Sequence, residues 1–374
     1  MTEANPPEQP KGPAPPEPPI APGPRSAARV IALAVIGFLA TFILLFGLAN
    51  LSRPSEGGIA GRSPWAASAG ASSRASSLVP PGSPVASAAP VASAGTSSAS
   101  AGASASASSS ADTVLVGAGD IADCGLTDDS ATAALVDAIP GAVFTAGDNA
   151  YPDGSAAQFR DCYGPTWGRL LARTRPAPGN HDWVTKDLAG YLGYFGAAAA
   201  PLGTSWYSYD LGAWHVVVLD SDCSSVGGCG ADSVQGLWLA ADLQASTARC
   251  TLAIWHHPRF SSGEHGNDSG VAPFWQTLYD GGADLVVNGH DHDYERFAPQ
   301  DPNGRPDPGR GIREFVVGTG GAALRGFSTT APNSELRAAL AHGVIRLVLH
   351  PTAYAWTFLP ASGAFSDSGN GTCH

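Results

Sequence analysis

Beyond about residue 112 the chain alternates short apolar runs with helical patterns, and most of the runs break off at a polar residue. Thr113 to Ala118 (TVLVGA) reads as a buried strand that stops at Gly119-Asp120. Residues 130–139 read as a helix closed by Pro140-Gly141. Ala142 to Ala146 is a second strand, ending in Gly147-Asp148. Trp214 to Leu219 runs into Asp220, Cys250 to Trp255 into His256-His257, and Leu285 to Asn288 into Gly289-His290. Later strands are expected at 315–318, 343–350 and 354–359, and helices at 233–245 and 273–279. Strands alternating with helices predict an α/β domain over 112–374.

The first 111 residues follow another pattern. Residues 29–51 form an apolar run, uncharged after Arg29. At ~1.5 Å per helical residue it spans a hydrocarbon core of ~30 Å. Lys11, Arg25 and Arg29 lie on its N-terminal side, which orients the N-terminus to the cytoplasm. The alternative is a cleaved signal peptide, but such apolar regions are shorter and 47–51 makes a poor cleavage site. A single-pass membrane anchor with the rest of the chain outside is expected, or a secreted protein if the run is cleaved. Residues 52–111, rich in Ala, Ser, Gly and Pro, bury too little apolar surface to offset ordering entropy and read as a disordered stalk. The Pro-rich head, 1–28, reads as extended and disordered, with a docking peptide for a Pro-recognition module as the alternative. All six cysteines follow the apolar run, as expected of exported disulfides. Cys223 and Cys229 can close a small loop; Cys124–Cys162 and Cys250–Cys373 are then the expected remainder, the connectivity being otherwise open.

Charge narrows the partners. From Asp112 on there are 14 Lys/Arg against 28 Asp/Glu, a net of −14. Such a domain offers no nucleic-acid surface, and to act on phosphates it would need bound cations.

The polar strand ends supply a donor set for them. In order they are Gly119-Asp120, Gly147-Asp148-Asn149-Ala150-Tyr151, Gly179-Asn180-His181-Asp182, His256-His257-Pro258 and Gly289-His290-Asp291-His292. Ligand sites in α/β folds lie at the carboxyl ends of strands. Carboxylate, imidazole, amide and phenol donors without a thiolate suit Zn, Mn and Fe, and seven such groups suffice for two metals sharing one Asp.

In this order the blocks resemble the calcineurin-like metallophosphoesterases and, within them, the purple acid phosphatases. Asp291-His292-Asp293-Tyr294-Glu295-Arg296 continues like the plant-type motif. The first block, Asp120-Ile121-Ala122, lacks the histidine ligand of generic members, and Tyr151 stands where the purple enzymes place a tyrosine. Ala122 replaces a usual Gly, and the stalk occupies the position of the plant enzymes' extra β-sandwich. The resemblance implies a four-layer αββα sandwich. It implies a first ion, Fe(III), on Asp120, Asp148, Tyr151 and His292, and a second, Zn, Mn or Fe(II), on Asp148, Asn180, His256 and His290. His256 is preferred to His257 because the family's ligand lies two residues before the Pro. His181 and His265 take the catalytic, phosphate-facing positions, and His215, His257, His342, His350 and His374 are left as structural or surface residues. The implied activity is hydrolysis of phosphate monoesters on small substrates by a metal-bound hydroxide. The alternatives are a phosphodiesterase or nucleotidase on the same centre, or a non-catalytic exported metal-binding module.

Overall fold

The structure, a computed structural model, describes residues 112–374. The expected head, anchor and stalk lie outside the described residues, among which no helix is long and apolar enough to cross a membrane. The first strands are β1 (Thr113–Ala118), β2 (Ala122–Asp123), β3 (Ala142–Ala146), β4 (Ala150–Tyr151), β5 (Thr174–Ala177), β6 (Tyr207–Leu211) and β7 (Trp214–Val218). They are followed by β8 (Cys250–Ile254), β9 (Leu285–Asn288), β10 (Tyr294–Phe297), β11 (Arg313–Val317) and β12 (Ser334–Ala338). The chain closes with β13 (Gly343–His350), β14 (Ala353–Pro360) and β15 (Asp367–Thr372). The helices used below are α1 (Asp128–Asp137), α2 (Asn180–Val184), α3 (Ala189–Phe195), α4 (Val234–Ala245) and α5 (Ala272–Asp280).

Two large sheets result. One runs β15-β14-β13-β1-β3-β5, the other β12-β10-β11-β9-β8-β7-β6, and β2 pairs with β4 in a small parallel ribbon. Within the first, β1, β3 and β5 are parallel; within the second, β7, β8, β9 and β11 are. The central strands are buried on both faces, which is why their sequences are unbroken apolar runs. Leu252, Ile254, Leu285 and Val287 join Leu115 and Val116 in one core, while the alternate residues Ala253, Trp255 and Val286 pack with Leu239 of α4 and Phe274, Trp275 and Leu278 of α5 in another. On the first sheet's side α1 contributes Ala133 and Val136. The expected mixed α/β arrangement of stacked sheets and helices is present.

Four strand regions absent from the hydrophobic pattern, β5, β6, β12 and β15, are the edge strands of the two sheets, and β10, α2 and α3 are further additions. The cysteines pair as Cys124–Cys162, Cys223–Cys229 and Cys250–Cys373, with Cα atoms 5.3, 5.1 and 5.4 Å apart.

One histidine outside the strand-end blocks is held on both sides. His215 of β7 faces Asp242 of α4 at 2.8 Å through Nε2 and Asp210 of β6 at 3.2 Å through Nδ1. The Asp242 hydrogen bond, against the effect of burial, raises the imidazole above its ordinary value. A raised histidine stabilises below its unfolded pKa and loses that contribution as pH rises through the folded one. His215→Leu is therefore expected to cost about 1–3 kcal/mol in urea unfolding at acid pH, a gap that shrinks on the alkaline side.

Candidate metal centre

The parallel strands deliver the polar blocks to one place. Asp120 follows β1, Asp148 follows β3, Asn180 opens α2 just after β5, His256 follows β8, and His290 and His292 fill the turn from β9 to β10. The ends of the two sheets meet there, with Gly119 N–H donating to the Val317 carbonyl at 2.9 Å. Asp120, Asp148 and His290 all have left-handed backbones, with φ of 59°, 49° and 71°. For residues with a side chain this is a cost of about 1–2 kcal/mol, accepted where geometry at a site demands it. Gly147 has φ 84°, and a Cβ there would lie 2.4 Å from His256 Nδ1. Only glycine lets that imidazole lie so close to the chain.

The side chains form two groups that share one atom. In the first, the Tyr151 hydroxyl lies 2.8 Å from Asp120 Oδ1, 3.0 Å from Asp148 Oδ2 and 3.1 Å from His292 Nε2. His292 Nε2 is 3.3 Å from Asp120 Oδ1. In the second, His256 Nε2 lies 3.2 Å from Asp148 Oδ2, 3.1 Å from Asn180 Oδ1 and 3.3 Å from His290 Nδ1. Asp148 Oδ2 belongs to both. All seven sequence-predicted donors are thus brought together.

Supporting contacts aim them. His256 Nδ1–H donates to the Ala146 carbonyl and His292 Nδ1–H to that of Ala323, both at 2.8 Å, so each presents Nε2 inward. Buried Asp182 accepts from Gly179 N–H and Asn149 Nδ2, both at 2.9 Å, bracing the segments that carry Asn180 and Asp148. Burial, then the charge of Asp148, pushes Asp182 up to about 7.

The electrostatics describe a pocket short of positive charge. Asp120 and Asp148 are buried, and among the described residues neither is paired with Lys or Arg. Burial opposes ionisation of Asp148, but the charge of His256 outweighs it and holds the carboxyl low. Burial, with Asp120 and Asp148 behind it, pushes the Tyr151 phenol well up, so it keeps its proton and donates to both carboxylates. Burial and the neighbouring imidazoles of His256, His257 and His265 push His290 down, whereas at His256 burial is outweighed by the charge of Asp148, which raises the imidazole to about 10. Two buried carboxylates whose only cationic neighbours among the described residues are imidazoles, set among oxygen and nitrogen donors, make a set that two metal cations fit.

The two predicted catalytic histidines flank the groups. His181 N–H donates to Asp148 Oδ1 at 2.8 Å, and its Nδ1–H donates to the Pro152 carbonyl at 2.6 Å. Its Nε2 is left facing Asp148 Oδ2, 3.9 Å away. His265 lies over His290, ring centroids 4.2 Å apart. Sequence reasoning passed over His257, whose ring is 4.4 Å from that of His290 and whose Nδ1 lies 2.8 Å from Ser221 Oγ. The doublet His256-His257 was the available signal. It also passed over Asp291, which accepts from Ser261 Oγ and from His265 N–H (2.8 Å), tying the His265 loop to the turn that carries His290 and His292.

Residues 103–294 match the family profile of the calcineurin-like phosphoesterases. The chain belongs to that family. Among curated proteins, the calcineurin-like phosphoesterase is 31% identical to Purple acid phosphatase 21 of Arabidopsis thaliana, over 54% of this chain and 51% of that protein. It is 27% identical to Acid phosphatase A of Cryphonectria parasitica, over 46% of this chain and 36% of that one. The chain spans about half the length of the Arabidopsis relatives it matches. Among solved structures, purple acid phosphatase PPD1 from yellow lupin seeds aligns with a TM-score of 0.53 at 18% identity, covering 70% of this chain and 54% of that one. GAP50, the anchor in the inner membrane complex of Plasmodium, aligns at 0.54 and 14%, covering 70% and 89%. At these identities the likeness is one of fold, and a fold shared with an anchor carries no activity by itself.

Proposed function

We propose that this calcineurin-like phosphoesterase is a binuclear-metal phosphatase that hydrolyses phosphate monoesters and is similar in mechanism to the purple acid phosphatases. The observation that carries the reading is the shared Asp148 Oδ2, in contact with the Tyr151 hydroxyl on one side and His256 Nε2 on the other. Asp120, Asp148, Tyr151 and His292 would hold the first ion, and Asp148, Asn180, His256 and His290 the second. A phenol in the first set favours Fe(III) there, with Zn, Mn or Fe(II) in the second. Bound in this way, the ions would polarise a phosphoryl group, activate water at mildly acid pH and offset the domain's negative charge. The chain's own part is orientation and proton handling. Asp182 and the carbonyls of Ala146 and Ala323 fix the donors, and His181 Nε2, with only Asp148 Oδ2 near it at 3.9 Å, can hold the proton required by the leaving oxygen. The three disulfides support an exported catalytic domain, anchored by 29–51 or secreted.

The test is metal analysis of the full chain in detergent together with p-nitrophenyl phosphate turnover. Binding of two metals per chain and hydrolysis abolished by chelation are expected. Metal-independent turnover, or a metal-loaded protein without turnover, overturns the reading.

A further inference from the structure

Of the fourteen Lys and Arg residues of 112–374, Arg325 stands at the lip of the metal centre, against His265, whose ring lies over His290. Arg325 lies in the loop that follows β11, and that loop is tightly fixed. A Cβ on Gly318 would fall 2.1 Å from the Asp291 carbonyl oxygen, and one on Gly320 2.5 Å from that of Gly119. The resulting close passage lets Gly320 N–H donate to Gly119 O (2.9 Å), Ala322 N–H to Asp120 O (3.0 Å) and Arg325 N–H to His292 O (3.0 Å). Further on, Ser328 N–H donates to Ser262 O at 3.0 Å and Ala331 N–H to Ser262 Oγ at 2.8 Å. The loop therefore bridges the first group of donors and the His265 segment.

The Arg325 side chain is half-buried, and its Nη1 donates to His265 Nε2 at 2.6 Å. Like most arginines of the domain it has no carboxylate within 4.0 Å among the described residues; what sets it apart is its seat on His265, whose ring lies over His290. Because a guanidinium only donates, His265 Nε2 is an acceptor in this contact. His265 thus holds the arginine in place and leaves the remaining guanidinium donors for another acceptor.

A fixed, acid-free guanidinium beside a phosphoryl site offers forked donors that match phosphate oxygens. A monoester phosphoryl group has three non-bridging oxygens and a charge of up to −2; a diester has two and carries −1. Two non-bridging oxygens suffice for a pair of metals, so only a monoester has one to spare. We infer that Arg325, positioned by His265, is a specificity-determining residue that takes the third oxygen and biases the site towards phosphate monoesters. The inference rests on the phosphatase reading given above.

The test compares the full chain with Arg325→Ala and Arg325→Lys, each metal-replete and checked for equal metal content. Expected for Arg325→Ala is a rise in KM for p-nitrophenyl phosphate, and in the inhibition constant of inorganic phosphate, of about tenfold, with kcat within about threefold. Turnover of bis-p-nitrophenyl phosphate is expected to stay within about twofold, and Arg325→Lys to recover part of the phosphate inhibition. Equal losses on both substrates, or none on either, overturn the inference. If the wild type turns over neither substrate, the phosphatase reading fails, and calorimetric binding of inorganic phosphate to wild type and Arg325→Ala decides this one. Equal binding, or no binding by either, overturns it.

Discussion

Asp148→Ala is expected to lower kcat/KM for p-nitrophenyl phosphate by at least about 10³-fold and to cut bound metal to one ion or fewer per chain. The reason is geometric. Asp148 Oδ2 is the atom common to the two donor groups, 3.0 Å from the Tyr151 hydroxyl and 3.2 Å from His256 Nε2. On the proposed reading its loss would remove the one donor common to both sets, and with it a buried negative charge that would favour cation binding. Oδ1 also accepts from His181 N–H at 2.8 Å, so the candidate proton donor is released at the same time. Metal content and steady-state rates measured on one preparation, with circular dichroism to establish folding, provide the check. Wild-type-like turnover by a folded, metal-replete variant would rule out a two-ion mechanism.

The second large effect concerns colour. With iron bound, the Tyr151 oxygen would give up the proton it now donates to Asp120 and Asp148 and bind as phenolate. Phenolate bound to Fe(III) absorbs in the visible through charge transfer, so the iron-loaded chain should be coloured. Tyr151→Phe keeps the ring in its buried setting and deletes only the oxygen. The band is expected to disappear with the fold intact. A colourless iron-loaded wild type, or a variant that keeps the band, strikes Fe(III) from the first position.

How far the sequence could be read follows from burial. The central strands are covered on both faces, so they appear as continuous apolar runs, and their ends mark the donor positions. β5, β6, β12 and β15 were not legible because each has a single neighbour in its sheet and carries polar or proline residues, as in Ser334–Ala338 (SELRA) and Asp367–Thr372 (DSGNGT). The latter composition is that of a turn. It holds a strand because Asp367 accepts from Tyr294, Arg296 and Trp356. Asp182 stands inside a legible block, yet its bracing of Asn149 and Gly179 comes from tertiary contacts. Arg325 belongs to no block, and only the passage of its loop past Gly119 and His292 brings it to the centre.

The left-handed conformations of Asp120, Asp148 and His290 set two demands on the sequence against each other. At each position glycine would relax the backbone, and at the two aspartates it would also remove a buried charge. Heat resistance and metal capture therefore pull in opposite directions at the same three codons. In a laboratory lineage propagated for thermal endurance alone, these are the places where the gene has most to gain by forgetting its chemistry.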